Sequence, residues 1–339
     1  MKRKYIYTGV VAIVAVLIAG VFITVGGHKT TVDSSSDKNF VLKIAENNDL
    51  CGAPQQLAVE KGYFKHAGLK VKVVKLGSDT TNFEGVNAGK IDASNSLLGS
   101  LIQPLANGAK VKITTGLHSG CLQILVKKNS GIKTAQDLVG KKIGVSDIAG
   151  SAATYAKRYL GDYGVDVSAD HAKVQFAAYD GSELPIVLEK GQVSAIALGD
   201  PDTEIDKSKY NLVTLSSSAT DPKFKDEYCC VAYVSDGLAK NHPSVAAKYT
   251  QALQKASAWI AKHPEEAVDI QESHHYVDGD KQMNKDMQMG YHYKPSYTGA
   301  QKAFTTVGED LQRLDVLDKN VDVSQLQKNS FFKTSASTN

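Results

Sequence analysis

The side chains in this sequence with the most chemistry to offer are soft ones. Cys51 stands in Leu50-Cys51-Gly52, His118 and Cys121 stand in His118-Ser119-Gly120-Cys121, and Cys229-Cys230 is an adjacent pair. An imidazole can donate, accept or carry charge, and a thiol gives a compact polarisable contact. Cys51, His118, Cys121 and one member of the Cys229-Cys230 pair have the ligand types that suit zinc or copper, but no close sequential ligand pair sets their geometry. In an oxidising compartment Cys51 and Cys121 could instead form a disulfide, worth roughly 2–4 kcal/mol. If Cys229 and Cys230 lie on one strand they point to opposite faces, so at most one of them faces a shared site.

A second group is polar. Asn47 and Gln55 each donate and accept, which suits a neutral polar ligand. Asn95 and Ser96 can hydrogen-bond a ligand, although Ser96 also fits as the cap of a helix beginning at Leu97. Gly150-Ser151 opens a helix whose free N–H groups can receive an electron-rich group, or Ser151 is an ordinary cap. Asp200 ends a strand opposite these loops. Glu46, Asp49, Asp79, Asp147, Asp180 and Asp200 all lie in or beside strand-end loops, whereas the arginines are Arg3, Arg158 and Arg313, outside them. A bidentate guanidinium clamp for an oxyanion is therefore hard to build. Helix N-termini and lysines leave an anion route open, but the balance favours a neutral or cationic organic solute, such as a nitrogen heterocycle or amine. The metalloprotease HExxH motif, the phosphate-loop lysine motif and the nucleophile elbow are absent from the sequence. The reading is a binding protein and not an enzyme, with no catalytic residue, cofactor or metal called for.

These residues must be positioned by alternating elements. Val41 to Ala45, Leu69 to Leu76, Ile91 to Ala93 and Val111 to Thr115 read as strands, with helices from Pro54 to Lys61, Asn82 to Ala88 and Leu97 to Leu105 between them. Strand and helix in alternation indicate an α/β layer. The pattern then recurs. Tyr63-Phe64 to Gly68-Leu69 is echoed 96 residues on by Tyr159-Leu160 to Gly164-Val165, and Gly89-Lys90-Ile91-Asp92-Ala93 is echoed 102 residues on by Gly191-Gln192-Val193-Ser194-Ala195. Two similar lobes are expected, the second copy spanning about Lys141 to Leu215. Cys121 to Val126 and Tyr228 to Val234 then become hinge-side strands, and strand-end loops of both lobes face a cleft. From His242 onward Tyr249, Leu253, Ala256 and Ile260 recur at helical spacing, so the tail should buttress lobe one.

The segments Ala58-Val59-Glu60-Lys61-Gly62-Tyr63-Phe64, Ala67-Gly68-Leu69, Ala88-Gly89-Lys90-Ile91-Asp92-Ala93 and Ile132 to Val145, with Asn241-His242-Pro243 and His263-Pro264-Glu265-Glu266-Ala267, resemble the substrate-binding proteins of ABC importers of the nitrate, sulfonate and taurine type. That family includes pyrimidine-precursor binders and some pyrimidine-forming enzymes, and the likeness covers roughly residues 41 to 270. It implies a two-lobed, periplasmic-binding-protein-like clamshell of type II. The implied function is the extracytoplasmic solute-binding component of an importer, partnered by a permease with its ATPase. It also implies ligand contacts near Asn47 to Gln55 and at Asp200. Sulfonate or other organic-anion binding, metal or metal-chelate binding through Cys and His, and a pyrimidine-synthesis-like enzyme are the alternatives. The expected domains are a signal segment at 1–28, a polar linker at 29–39, lobe one at 40–127 with 235–339, and lobe two at 128–234.

Lys2-Arg3-Lys4 followed by Tyr5 to Gly27, 23 residues without a formal charge, predicts either an uncleaved transmembrane anchor or a signal peptide, with the body exported and monomeric. Residues 1–38 hold five basic and two acidic groups, a net +3 that equals the total of the 339-residue chain, so the body is neutral. A neutral body excludes a nucleic-acid footprint.

Overall fold

The computed structural model describes residues 37–77, 80–168 and 170–337. The expected N-terminal anchor or signal, most of the linker, and Asp79 lie outside the described residues. In chain order the strands are β1 (Val41–Ala45), β2 (Lys70–Val74), β3 (Ala93–Leu97), β4 (Val111–Ser119), β5 (Leu122–Lys127), β6 (Lys142–Val145), β7 (Gln175–Ala178), β8 (Ala195–Gly199), β9 (Leu212–Ser217), β10 (Cys230–Ser235) and β11 (His292–Ser296). They form two sheets, ordered β11-β4-β10-β3-β1-β2 and β7-β6-β8-β5-β9.

The sheets repeat one plan. In the first, β2, β1 and β3 are parallel and β10 runs antiparallel between β3 and β4. In the second, β7, β6 and β8 are parallel and β5 runs antiparallel between β8 and β9. The repeated sequence segments fall at equivalent places: Gly68 and Gly164 have φ of +74° and +82°, and Gly89 and Gly191 both have +72°. Those are left-handed turn conformations that favour glycine, which is why the same residue recurs at the end of each helix.

The strands at the two crossings differ from the expected boundaries. The expected boundaries put Leu122–Lys127 in lobe one and Cys230 to Val234 in lobe two, but β5 pairs in the second sheet and β10 in the first. Each sheet receives its antiparallel strand from the chain as it arrives from the other sheet, so each boundary moves by one strand. The helix expected from Leu97 also starts late. Leu97 is held in β3 by pairing with Cys230, a single helical turn follows at Leu98–Ser100, and the helix proper is Ile102–Ala106.

Helices α1 (Ala53–Glu60), α2 (Tyr63–His66), α3 (Asn82–Asn87) and α4 (Ile102–Ala106) connect strands of the first sheet, and α5 (Ser151–Asp162), α6 (Leu184–Glu189) and α7 (Asp202–Tyr210) those of the second. The tail supplies α8 (Asp236–Asn241), α9 (Pro243–Ile260), α10 (Pro264–Ser273), α11 (Lys281–Gly290), α12 (Tyr297–Arg313) and α13 (Val323–Ser330). Proline in the first turn starts α9 and α10, where a missing N–H costs nothing. The stripe Tyr249, Leu253, Ala256 and Ile260 is buried, and α9 packs on α1, β4 and β11 as the periodicity required. Tyr297, Ala300, Phe304, Val307 and Leu311 make the same kind of stripe on α12, packed against β4. Among the described residues no helix is long and apolar enough to cross a membrane.

One ionic cluster joins the halves. Arg158 on α5 donates to both oxygens of Glu227 at 2.5 and 2.8 Å and to Asp310 of α12 at 2.8 Å. Its side chain is 5% exposed, so the guanidinium is committed inside the protein.

Candidate functional site

The strand ends of both sheets enclose a cavity of about 470 Å³, lined on one side by Asp49, Cys51, Asn82, Asn95 and Ser96 and on the other by Cys121, Asp147 and Asp200. On the first wall, Asp49 ends the loop after β1 and accepts from the Gly52 N–H at 2.6 Å, which fixes the turn carrying Cys51. Three asparagines are wired together beside it. Asn47 Nδ2 donates to Asn95 Oδ1 at 2.8 Å, Asn82 Nδ2 donates to Asn47 Oδ1 at 2.6 Å, and Asn95 Nδ2 donates to the Cys51 carbonyl at 3.1 Å. Asn47 thus braces two lining residues from behind. Asn82, at the start of α3, was missed in the sequence, where it read only as a helix opener.

Gln55 also lies behind the wall. It donates to the Ala45 carbonyl at 2.7 Å and accepts from the Tyr249 hydroxyl at 2.8 Å, so its amide ties β1 to α9. Ser96 is not a cap: it is within β3 and its hydroxyl bonds to Tyr233 at 3.1 Å.

The second wall is built at the end of β8 and the start of α5. Asp200 accepts from Tyr291 at 2.9 Å, from Gln123 at 3.3 Å and from Thr203. Gly150 occupies the cap of α5 and Ser151 opens it. The Ser151 hydroxyl accepts from the Ser100 N–H at 2.9 Å, a direct bond from the second half to the first. Ser151 is therefore beside the cavity and not among its lining residues. Of the nine expected contacts, Cys51, Asn95, Ser96, Cys121 and Asp200 line the space, whereas Asn47, Gln55, His118 and Ser151 stand behind it.

The electrostatics are acidic. Glu84 joins Asp49, Asp147 and Asp200 among the lining residues, which include no lysine, arginine or histidine. Burial, followed by the nearby Cys51, pushes the Asp49 carboxyl up to about 7. Burial likewise pushes Asp200 up to about 7, opposed by the hydrogen bond from Thr203. Arg158 is held by Glu227 and Asp310, and Arg313 by Asp162 and Asp310, so neither reaches the cavity.

Behind Cys51 and Cys121 lies a thiol and imidazole cluster. Cys121 Sγ is 2.7 Å from Cys229 Sγ, and Cys229 Sγ is 3.7 Å from His118 Nδ1. All four cysteines are free, so the Cys51–Cys121 disulfide is not formed here. Cys229 and Cys230 both reach the cluster, contrary to the alternation expected of a strand, because β10 begins only at Cys230 and its register slips between Cys230 and Val231. His118 is fully buried between Tyr291 and Tyr293, at ring distances of 5.1 and 4.8 Å. Burial acts against its cation, but Cys229 and Cys51 more than offset it and hold His118 well above the ordinary imidazole value. Hydrogen bonds from Cys121 and Cys230 pull Cys51 well below the usual thiol range. Burial would raise Cys229, yet Cys121, Cys230 and His118 bring it well down. The tyrosines, far along the chain on β11 and just before it, gave no sequence signal of belonging to this site.

A family model described as NMT1/THI5 like matches residues 53–267, from α1 into α10, so that β1, the loop carrying Asn47 and Cys51, and β11 fall outside the match. The chain belongs to the NMT1/THI5-like family. Within the reach of this family, a Bacillus subtilis protein named as an aliphatic sulfonates-binding protein is 25% identical over 94% of this chain and 95% of its own length. A 4-amino-5-hydroxymethyl-2-methylpyrimidine phosphate synthase of Legionella pneumophila is 20% identical over 82% of this chain and 87% of its own. The crystal structure of the periplasmic aliphatic sulphonate binding protein SsuA from Escherichia coli superposes with a TM-score of 0.69 at 16% identity, covering 87% of this chain and 92% of that one. The fold of this NMT1/THI5-like chain is accordingly that of the periplasmic binding proteins, as the family resemblance implied.

Proposed function

We propose that this protein is the extracytoplasmic solute-binding component of an ABC importer and that its solute is a small neutral or cationic organic molecule. The supporting observation is the cavity: residues of both sheets enclose a volume of about 470 Å³ with carboxylates from both sides and no basic side chain. That size suits one small organic ligand. The relatives named as sulfonate binders support the transport role, while the lining charge argues for a different solute. Asp49 and Asp200 can accept from an N–H or pair with an ammonium, and Asn82, Asn95 and Ser96 supply neutral donors and acceptors.

Ligand contacts to both walls favour the form in which Ser100 meets Ser151, and a permease recognises that form while its ATPase supplies the work. The body faces outward from the cytoplasmic membrane, tethered or released according to the fate of residues 1–28, and acts as a monomer without a cofactor. A binder is favoured over an enzyme because none of the common hydrolase motifs is present and the cavity leads to no nucleophile–base pair other than the buried cluster.

The test is native mass spectrometry of protein that has not been dialysed, followed by thermal shift with amines, neutral pyrimidines, alkanesulfonates and nitrate. Recovery of one unmodified amine or neutral heterocycle per chain, and stabilisation by that class, is expected. Stabilisation by sulfonate or nitrate alone would overturn the charge assignment. Conversion of the recovered molecule by the purified protein would overturn the binding role.

A further inference from the structure

The two places where the chain passes between the sheets meet at one point, and that point is the thiol cluster. His118 is at the end of β4 and Cys121 immediately precedes β5, which is the outward crossing; Cys229 and Cys230 open β10, which is the return. The ligand atoms of His118, Cys121, Cys229 and Cys230 all lie within 4.8 Å of one another. Cys51 lines the cavity with Cys121 and is not one of the four residues whose ligand atoms converge.

Nothing in the solute cavity explains this convergence. His118 is completely buried, and its Nε2 has no hydrogen-bond partner among the described residues. Nδ1 faces the Ser119 carbonyl at 3.4 Å. An imidazole that ligates through one nitrogen and donates its other N–H to a backbone carbonyl satisfies both positions, and the tautomer decides which nitrogen carries the proton. Three sulfurs and one imidazole nitrogen are a closed tetrahedral set. Ligand atoms around zinc stand about 3.3–3.8 Å apart, given metal distances of about 2.3 Å to sulfur and about 2.0 Å to nitrogen. The widest pair here must draw in by about 1 Å and the Cys121–Cys229 pair must open by about as much, movements within the reach of side-chain rotation. Thiolates and imidazole select a soft or borderline ion over magnesium or calcium. With three thiolates a divalent ion leaves one net negative charge, a smaller burial cost than a monovalent ion would leave.

We propose that His118, Cys121, Cys229 and Cys230 form a Cys3His site for a thiophilic closed-shell metal ion, Zn(II) being the best fit, which ties the two crossings together at the floor of the cavity. Cys51 is the spare thiol on the cavity side. This assignment does not depend on the identity of the solute or on the import role.

The experiment uses the full-length protein in detergent, reduced and handled without oxygen. It is offered Zn(II) or Co(II), desalted and measured by elemental analysis. One metal per chain is expected, with thiolate-to-cobalt charge-transfer bands and the strong visible absorption of tetrahedral cobalt. Cys121→Ser and His118→Ala should each weaken Zn(II) binding by about 100-fold or more, while Cys51→Ser should change it little. Circular dichroism identifies any variant that fails to fold, and the wild-type stoichiometry and cobalt spectrum test the site without relying on variants. A reduced, folded protein that retains no metal and whose four cysteines all react with a thiol reagent would overturn the assignment. So would a Cys121–Cys229 disulfide in the secreted protein together with failure to bind metal after reduction.

Discussion

Replacing Arg158 by methionine tests whether the buried ionic cluster holds the halves together. Arg158 makes two bonds to Glu227 and one to Asp310. Asp310 keeps Arg313 at 2.7 Å after the substitution, but the Glu227 carboxylate has no other hydrogen-bond partner among the described residues. Burial already raises the Glu227 carboxyl, and Arg158 is what draws it back. Stranding one partner of a buried pair costs about 3–5 kcal/mol, and the methionine recovers about 1 kcal/mol by burying apolar surface. A net loss of about 2–4 kcal/mol should lower the urea midpoint by about 1 M if the slope is about 3 kcal/mol/M. The deficit should shrink as pH is lowered, because protonation removes the stranded charge. Adding Glu227→Gln to Arg158→Met should restore all but about 1–2 kcal/mol. A single variant within about 0.5 kcal/mol of wild type, or a double variant no better than the single, would refute this account.

Two further outcomes follow from other sites. Burial, then Asp202, pushes the Asp206 carboxyl up from 3.8 to about 6, with Lys209 opposing. The native state therefore binds more protons than the unfolded chain between these values, and stability falls as pH rises through that window. Asp206→Asn should flatten the slope and add about 1–2 kcal/mol above pH ~7, after discounting for the group's partial exposure, as read by urea melts across pH. Ser151→Ala removes the acceptor of the Ser100 N–H and should cost the apposed form about 1–2 kcal/mol, enlarging the radius of gyration measured by small-angle scattering. An unchanged scattering profile would show that this bond does not set the balance.

The fold was legible because its repeats rest on a backbone requirement: Gly68, Gly89, Gly164 and Gly191 mark positions where the chain takes positive φ. The ends of β1 and β8 were legible for a similar reason, their apolar runs stopping at polar clusters. What stayed hidden was the exchange of strands at the crossings. An apolar run such as Leu122–Lys127 shows that a strand exists but not which sheet takes it. The same gap affected the site. A helix cap stayed open as the alternative reading of Ser96 because pairing of Leu97 with Cys230 is a long-range fact, and Cys229 and Cys230 were separated because a register slip has no local signature. Gln55 was expected to contact the ligand, but its amide is occupied by Ala45 and Tyr249, partners that no local sequence signal reveals. Tyr291 and Tyr293 reach His118 only through the edge strand β11.

The close approach of Cys121 to Cys229 has a consequence for how such proteins can diversify. The whole run that builds the second sheet leaves and rejoins the molecule at neighbouring points, so it is topologically an insertion. A graft would need to match only those two adjacent junctions, and an insert with nearby ends adds little chain-closure entropy to the host's folding. Half of the binding surface could thus be swapped for that of a relative, leaving the helices of the tail and the surfaces they present untouched.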